Sequence, residues 1–405
     1  MKTWRDKLAA KLRAAARPGA FLLVAAAAFH VAWPPWYEYP PPAPFAGPRW
    51  HDPLAGEGQW LKTNLHAHSE IWFGPLYGDR PPAEVRQLYR ELGYDVYALS
   101  NYQHVTPRGP DEEIYVTCYE HGYGIQKIHH TVVGAERATP LDLPLLQTLA
   151  GKQQVFDWLR PTAPVVILNH PTMRWAFAPS ELAELCGYTG LEIRSKYAKA
   201  VPHWDAALSA GRLVWGFATD DGHRQERQSH IGIGWVVAKA AARSGDALIE
   251  ALQRGRFYAV FTRQRERPNE LLDLRLSEGP APSLTIRCRD VAESIRFVGQ
   301  GGVTLAEVRG SAEGTYSLRP EDAYVRIEVE TRGTQLFTNP VYRYEGDDPY
   351  ARAALRARPI PSLTWLKRLV GLAVTAAAGV ALLARRRPAQ PEDEGEPAGE
   401  QRNST

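Results

Sequence analysis

Residues 164–171 read PVVILNHP: four apolar residues in a row, three of them β-branched, closed by a polar Asn-His-Pro. A strand with one wet face alternates apolar and polar positions. An unbroken apolar run instead fits a strand covered on both faces, as in a parallel sheet flanked by helices. The surrounding chain repeats this pattern. DVYALS (95–100), HTVVGAE (130–136), GLEI (190–193) and RLVWGFATD (212–220) are further short apolar runs. Between them PPAEVRQLYRELG (81–93), LPLLQTLAGKQQVFDWLR (143–160), SELAELCG (180–187) and GDALIEALQRG (245–255) read as helices. The stretch from about Trp60 to about Tyr258 is therefore expected to be a parallel α/β sheet or barrel. Run lengths do not separate the two.

Beyond Leu271 the texture changes. In AYVRIEVE (323–330), Val325, Ile327 and Val329 face one way and Arg326, Glu328 and Glu330 the other. Together with SLTIRCR, SIRFVG and GTYSLRP this predicts a small antiparallel β-sandwich ending near Tyr344. GQGG (299–302) reads as a hairpin turn within it.

The 405 residues, 44% of them hydrophobic, suffice for one large domain and a smaller one. A net charge of +3 without a basic stripe gives no footprint for nucleic acid. Cys118, Cys186 and Cys288 lie far apart, outside any CxxC pair, so neither a disulfide framework nor a thiolate zinc site is expected.

Both ends are apolar. A basic amphipathic lead runs into Ala20–Trp33, which has the length of a signal-peptide core or a short span. Leu369–Ala384 would cover roughly 24 Å as a helix. Trp365 extends it, and Lys367, Arg368 and Arg385–Arg387 flank it as cations able to snorkel. The expected layout is an N-terminal anchor or signal segment (1–36), a Pro-rich linker (37–59), an α/β domain (60–265), a β-sandwich (266–346), a transmembrane helix (363–387) and a disordered polar tail (388–405). Basic residues at both outer ends favour the cytoplasm, which places the body on the extracytoplasmic, periplasmic side.

Eleven of the twelve histidines fall between His51 and His230, and none lies in the β-rich region. Position says more than number, because functional groups of α/β barrels sit at the carboxyl ends of strands. His66 and His68 in NLHAHS (64–69) share one face of an extended segment. Glu136 ends HTVVGAE, His170 ends PVVILNH, and Asp221 and His223 end WGFATDDGH. Singly each has a plain structural explanation, such as an Asp bonding its own turn. Their recurrence at strand ends points instead to a nitrogen- and oxygen-ligated Zn, Mn or Fe site. Such ions activate water and polarise phosphoryl or acyl oxygens.

The ordered set NLHAHS, GYDVYALSNY, VVGAE, ILNHP, GLEI and ATDDGH resembles the PHP (polymerase and histidinol phosphatase) superfamily of metallohydrolases, over roughly residues 60–260. GRFYAVF and the β-rich region ending YVRIEVETRGTQLFTNPVY resemble its CehA/McbA-like branch. The resemblance implies a distorted (β/α)7 barrel with up to three metals and a C-terminal domain. By the same resemblance His66, His68, Glu136, His170, Asp221 and His223 would be ligands, with Glu192 on the GLEI strand orienting an imidazole.

Two departures reduce the expected site to one or two ions. Ser100-Asn101-Tyr102 stands where the family has Thr-Asp-His, and SEIWFGPLYGD lacks the aspartate often found after HxH. A third ion would need His104, Glu120 or His121; Glu120, His121, His129 and His130 lie in YEHGYGIQKIHH (119–130). Lys127, Arg194 and Lys196 are candidate clamps for a phosphoester substrate, free or on a lipid headgroup. The function implied is a membrane-anchored metal-dependent phosphoesterase. Carbamate or ester hydrolysis, and a non-catalytic binding domain, are the alternatives.

Overall fold

The run that opens PVVILNHP is a strand, Val165–Leu168, with all four side chains buried. The computed structural model describes residues 4–71, 78–224, 231–262 and 268–384. The histidine-rich body is built on β1 (Gln59–Asn64), β2 (Val96–Tyr97), β3 (Cys118–His121), β4 (His130–Val133), β5 (Val165–Leu168), β6 (Gly190–Arg194), β7 (Trp215–Ala218), β8 (Gly234–Ala240) and β9 (Phe257–Thr262).

These strands form a mixed α/β body with two main sheets. One runs β3-β4-β5-β6-β7, with β5, β6 and β7 parallel and β4 antiparallel to both neighbours. The other holds β1 and β2 in parallel, with β8 antiparallel to β1 and to β9. Single bridges at Tyr102–Glu120 and Ala67–Gly222 tie the two sheets together. Hydrogen-bond ladders therefore do not run around one continuous ring of parallel strands. The reason is a loop length. Residues 122–129 joining β3 to β4 are too few for a parallel crossover, which needs about a dozen residues, so the pair closes as a hairpin.

Helices cover the apolar strands, and their ends follow ordinary capping chemistry. In the sequence between β2 and β7 and beyond, Thr148 accepts a hydrogen bond from the Gly151 N–H at the start of helix Leu149–Leu159. Ser244 does the same for Ala247 at helix Gly245–Gln253. Helix Pro82–Glu91 has Pro in its first turn and Arg90 in its last, and buries Val85 and Tyr89, one turn apart.

The C-terminal strands are β10 (Leu271–Ser277), β11 (Ser283–Val298), β12 (Thr304–Ser317), β13 (Tyr324–Thr331), β14 (Thr334–Thr338) and β15 (Val341–Tyr344). All pair antiparallel, as their alternation predicts. They do not stand apart as a sandwich. β14 pairs with β9, so the order β10-β11-β13-β14-β9-β8-β1-β2 makes one sheet that continues from the body. The polar face of β13 is not all wet either. Arg326 is 1% exposed, held by Asp205 at 2.7 Å and Glu328 at 2.5 Å against helix Val201–Ser209. A buried charge is tolerated only with partners of this kind.

Residues 34–361 form one compact unit, and the described residues of 4–33 and 362–384 form another. In the second, helices Trp4–Ala32 and Pro361–Ala384 lie antiparallel. A Cβ on Gly371 would come within 2.5 Å of the Ala32 side chain, and one on Gly379 within 3.3 Å of Phe21. Arg368 donates to the Trp33 carbonyl at 2.9 Å. Pro361–Ala381 is long and apolar enough to cross a membrane, whereas the apolar part of the first helix, Pro18–Ala32, is shorter. The Arg385–Arg387 triplet and the tail 388–405 lie outside the described residues.

Candidate metal centre

The chain leaves β1 through Leu65-His66-Ala67-His68, and both imidazoles are fully buried. The strand period puts them on one side, and their rings lie 5.2 Å apart, edge to face. Asp221 reaches the same point from the turn after β7. Its Oδ1 lies 3.3 Å from His66 Nε2 and 3.5 Å from His68 Nε2. Glu120, on β3, completes the set: its Oε2 is 3.4 Å from His66 Nε2 and 3.1 Å from His68 Nε2.

The other oxygen of Glu120 faces a second group. Oε1 lies 2.8 Å from His129 Nδ1 and 3.4 Å from His170 Nε2. His66, His68 and Asp221 thus form one cluster able to hold a cation, and Glu120, His129 and His170 form another. Glu120 belongs to the second through Oε1 and turns Oε2 to the histidines of the first.

Two features of these atoms fit metal ions better than hydrogen bonds. First, Nε2 of His66, Oε2 of Glu120 and Oδ1 of Asp221 are buried within a few ångströms of one another, yet none has a hydrogen-bond partner. Orphaned buried polar atoms are rare, and here they surround a common point. Second, ligands about 2.0–2.1 Å from a tetrahedral ion stand about 3.3–3.4 Å from each other. The four contacts in the first cluster span 3.1–3.5 Å. Imidazole with carboxylate suits Zn, Mn or Fe.

Glu192 on β6 fixes the orientation of His66. Its Oε1 meets His66 Nδ1 at 2.5 Å and accepts from Thr219 Oγ1 at 2.6 Å, while Oε2 accepts the His170 backbone N–H at 2.8 Å. That bond turns Nε2 of His66 towards the cluster, the usual carboxylate–histidine support for a metal ligand. His170 (φ +28°) and Asp221 (φ +49°) both sit in the left-handed region that side chains rarely adopt. Strain of this kind persists where the surrounding structure enforces it, commonly at functional sites.

The charges respond as a set. Burial alone would depress His66, but Asp221, Glu192 and Glu120 outweigh it and raise its pKa well above the ordinary value. Burial would raise Glu120 and Asp221. The neighbouring imidazoles, His66 foremost, instead hold both well below the carboxylate range. The carboxylates are thus in the form a cation needs, whereas His66 carries a proton that a bound cation would displace.

His223 lies at the mouth, its side chain 26% exposed, with Nδ1 3.3 Å from Asp221 Oδ1 and its ring 4.1 Å from that of His68. Tyr102 stacks on His68 at 4.7 Å and brings its hydroxyl to 3.5 Å from His223 Nε2. Asn101 acts as a support. Its side chain donates to Ser69 Oγ at 2.7 Å and accepts the Ser69 N–H at 2.8 Å, which fixes the loop after His68.

Glu136 is not brought to this site. It is exposed and follows β4, whose last residue Val133 pairs with Val165 at the start of β5. Because β4 runs antiparallel, its carboxyl end lies at the opposite edge of the sheet, and Glu120 on β3 occupies the place expected for Glu136. His121 also turns away, with Nε2 on the Leu141 carbonyl at 2.7 Å. His104, in the loop after β2, belongs to neither cluster. Among the expected clamps, Lys127 Nζ lies 5.9 Å from the Tyr102 ring, at the rim. The Arg194 guanidinium lies over Phe261 and lines a separate cavity of about 350 Å³, and Lys196 lies over Tyr197. His129 joins the cluster although it precedes the expected strand HTVVGAE and does not end one. The hairpin opposite Glu120 is the signal that places it.

No family model matches the chain, and no curated protein matches it. Among solved structures, a two-domain protein containing a predicted PHP-like metal-dependent phosphoesterase, from Bacteroides vulgatus ATCC 8482, is similar over 78% of this chain and 99% of its own. The identity is 15% and the TM-score 0.38, values too low to assign a fold or a chemistry to this chain.

Proposed function

We propose that the chain is a metal-dependent hydrolase of phosphoesters of the PHP type, CehA/McbA-like, with a distorted barrel body and two divalent ions. The observation that carries this reading is Glu120, whose two oxygens face two separate histidine groups. His66, His68, Asp221 and Glu120 would hold one ion, and Glu120, His129 and His170 the other. When bound, such a pair supplies an activated water and a positive clamp for phosphoryl oxygens. Glu192 keeps His66 in the ligating tautomer. Tyr102 and His223 flank the open side, where they can hydrogen-bond a substrate oxygen, and Lys127 at the rim offers a counter-charge.

The apolar stretch Pro361–Ala381, long enough to cross a membrane, and the basic residues near both ends support a membrane-bound enzyme with its body on the extracytoplasmic side. Accessibility of body residues to an impermeant reagent in intact cells tests that placement. For the chemistry, the full-length protein is assayed for bound metals and against phosphomonoesters, phosphodiesters, carbamates and esters. Two equivalents of Zn, Mn or Fe and chelator-sensitive phosphoester turnover are expected. Acyl or carbamate turnover alone would reassign the substrate. Metal binding without any turnover would favour a binding domain, and absence of metal with no rescue would overturn the reading.

A further inference from the structure

A second cavity lies at the other edge of the β3–β7 sheet. Its walls include Pro164, Thr189, Leu213 and Trp215, which precede or open β5, β6 and β7, whereas His170 and Asp221 follow β5 and β7. Strands of four or five residues separate the two sites by roughly 13–17 Å. The cavity holds about 810 Å³ and four arginines: Arg160, Arg254, Arg256 and Arg356.

The backbone is shaped to gather them. Gly187 (φ +89°) lies between Arg160 and Arg356, whose Cδ atoms would be 3.8 and 3.9 Å from a Cβ there. Gly255 (φ +68°) separates Arg254 from Arg256, and a Cβ on it would strike the Trp215 ring at 2.6 Å. At the wall, the Arg254 guanidinium lies 5.4 Å from the Tyr350 ring, and the Tyr350 hydroxyl meets His51 Nε2 at 2.9 Å.

The positive charge is poorly answered. Arg254 pairs with Glu250 at 3.2 Å, but among the described residues no carboxylate lies within 4 Å of Arg160, Arg256 or Arg356. Arg256 donates to the Glu57 carbonyl, and Arg356 to the carbonyls of Ala353 and Leu355. Carbonyls occupy donors without neutralising charge. Two acids also line the wall, Asp52 and Asp348, each accepting a backbone N–H, from Leu54 and Tyr350, so four guanidinium groups face two carboxylates there. Two buried donors have no partner at all, Arg256 Nε and the hydroxyl of Tyr188.

We propose that this cavity binds a phosphate-bearing anion, at a site separate from the metal centre. Planar guanidinium forks match phosphate oxygens, and the volume exceeds a bare phosphate, so an esterified phosphate is the class that fits. Two sources share that chemistry. One is a soluble phosphate ester. The other is an anionic lipid headgroup, since Arg356 precedes the apolar helix at Pro361 by five residues.

Full-length protein in non-ionic detergent is titrated calorimetrically with inorganic phosphate, dihexanoyl phosphatidylglycerol and dihexanoyl phosphatidylcholine. Saturable binding is expected for phosphate, for phosphatidylglycerol over phosphatidylcholine, or for both. Phosphate binding identifies a soluble source, and headgroup-selective binding without it a lipid. Each lost guanidinium should weaken binding by roughly tenfold or more, read in Arg160→Gln/Arg356→Gln and in Arg254→Gln. Arg254 is exposed, so its replacement leaves a folded protein even where the double variant does not. A ligand held at the metal centre would ignore these substitutions. Equal affinity in parent and variants, or no binding by any probe, overturns the proposal.

Discussion

The two faces of the β3–β4 hairpin carry the same kinds of residue and do different things. Glu120 and His129 point inward to the cation clusters. Their chain neighbours His121 and His130, which are cross-strand partners, point the other way. His130 packs edge-on against Phe156 and Phe177, with neither ring nitrogen hydrogen-bonded. His121 bonds the Leu141 carbonyl. Strand geometry alone makes the distinction, because successive side chains alternate between faces. Proximity in sequence to a candidate ligand therefore does not make a residue one.

The largest effect that could break this comparison comes from Glu120→Gln against His121→Gln. Glu120→Gln should lower affinity at both metal positions by at least about 100-fold, beyond the usual cost of losing a mere support. His121→Gln should leave metal stoichiometry unchanged. Equal losses in metal analysis would erase the difference between the faces.

Next in size is Glu192→Gln, which removes the carboxylate holding His66 Nδ1. Metal affinity should fall by about 10–100-fold without loss of the fold, measured by competition with a chelator. An unchanged affinity would show that His66 is oriented by packing alone.

The outward face makes a pH prediction. Burial holds His130 neutral, well below its ordinary pKa, with the nearby His121 and His129 adding to the effect. In the unfolded chain His130 titrates near 6.5. The stability it contributes is thus present above that pH and is lost as pH falls below it, because only the unfolded state takes up the proton. In metal-free protein, His130→Phe should flatten the decline in melting temperature between pH 7 and pH 5. A decline identical to the parent's would show that other groups control it.

The smallest effect is expected from Glu136→Ala. An exposed residue beyond the far end of β4 should shift stability by no more than about 0.5 kcal/mol and leave metal content alone. Loss of metal in this variant would mean that β4 runs in the direction first expected.

Much of the architecture was legible because buried parallel strands write continuous apolar runs, and β5, β6 and β7 fall where those runs stand. His170 and Asp221 were visible because each follows such a run, the HxH pair because it follows a short strand, and Glu192 because it sits within the GLEI strand. Strand direction was not. HTVVGAE has the composition of a parallel strand, and only the short link before it forces the reversal. Gly122 marked that link: at φ +118° a Cβ would strike His129 and the Ile128 carbonyl at 2.7 Å. Reading it as a hairpin turn would have put Glu120 and His129 on one face, with Thr131 as the cross-strand partner of Glu120, and released Glu136. Nor does alternation in the C-terminal strands tell sandwich from sheet extension, because both bury every second residue. The polar face of β13 shows the limit, since Arg326 is buried by ion pairs to partners 121 and 2 residues away.

The central claim is that one carboxylate, Glu120, joins two cation sites. Anomalous scattering from crystals of the full-length protein, collected at the Zn, Mn and Fe edges, tests it most directly. The account predicts two peaks, one among His66, His68 and Asp221 and one beside His129 and His170, with the Glu120 carboxylate between them. A single peak away from Glu120, or no peak in metal-replete protein, would contradict it.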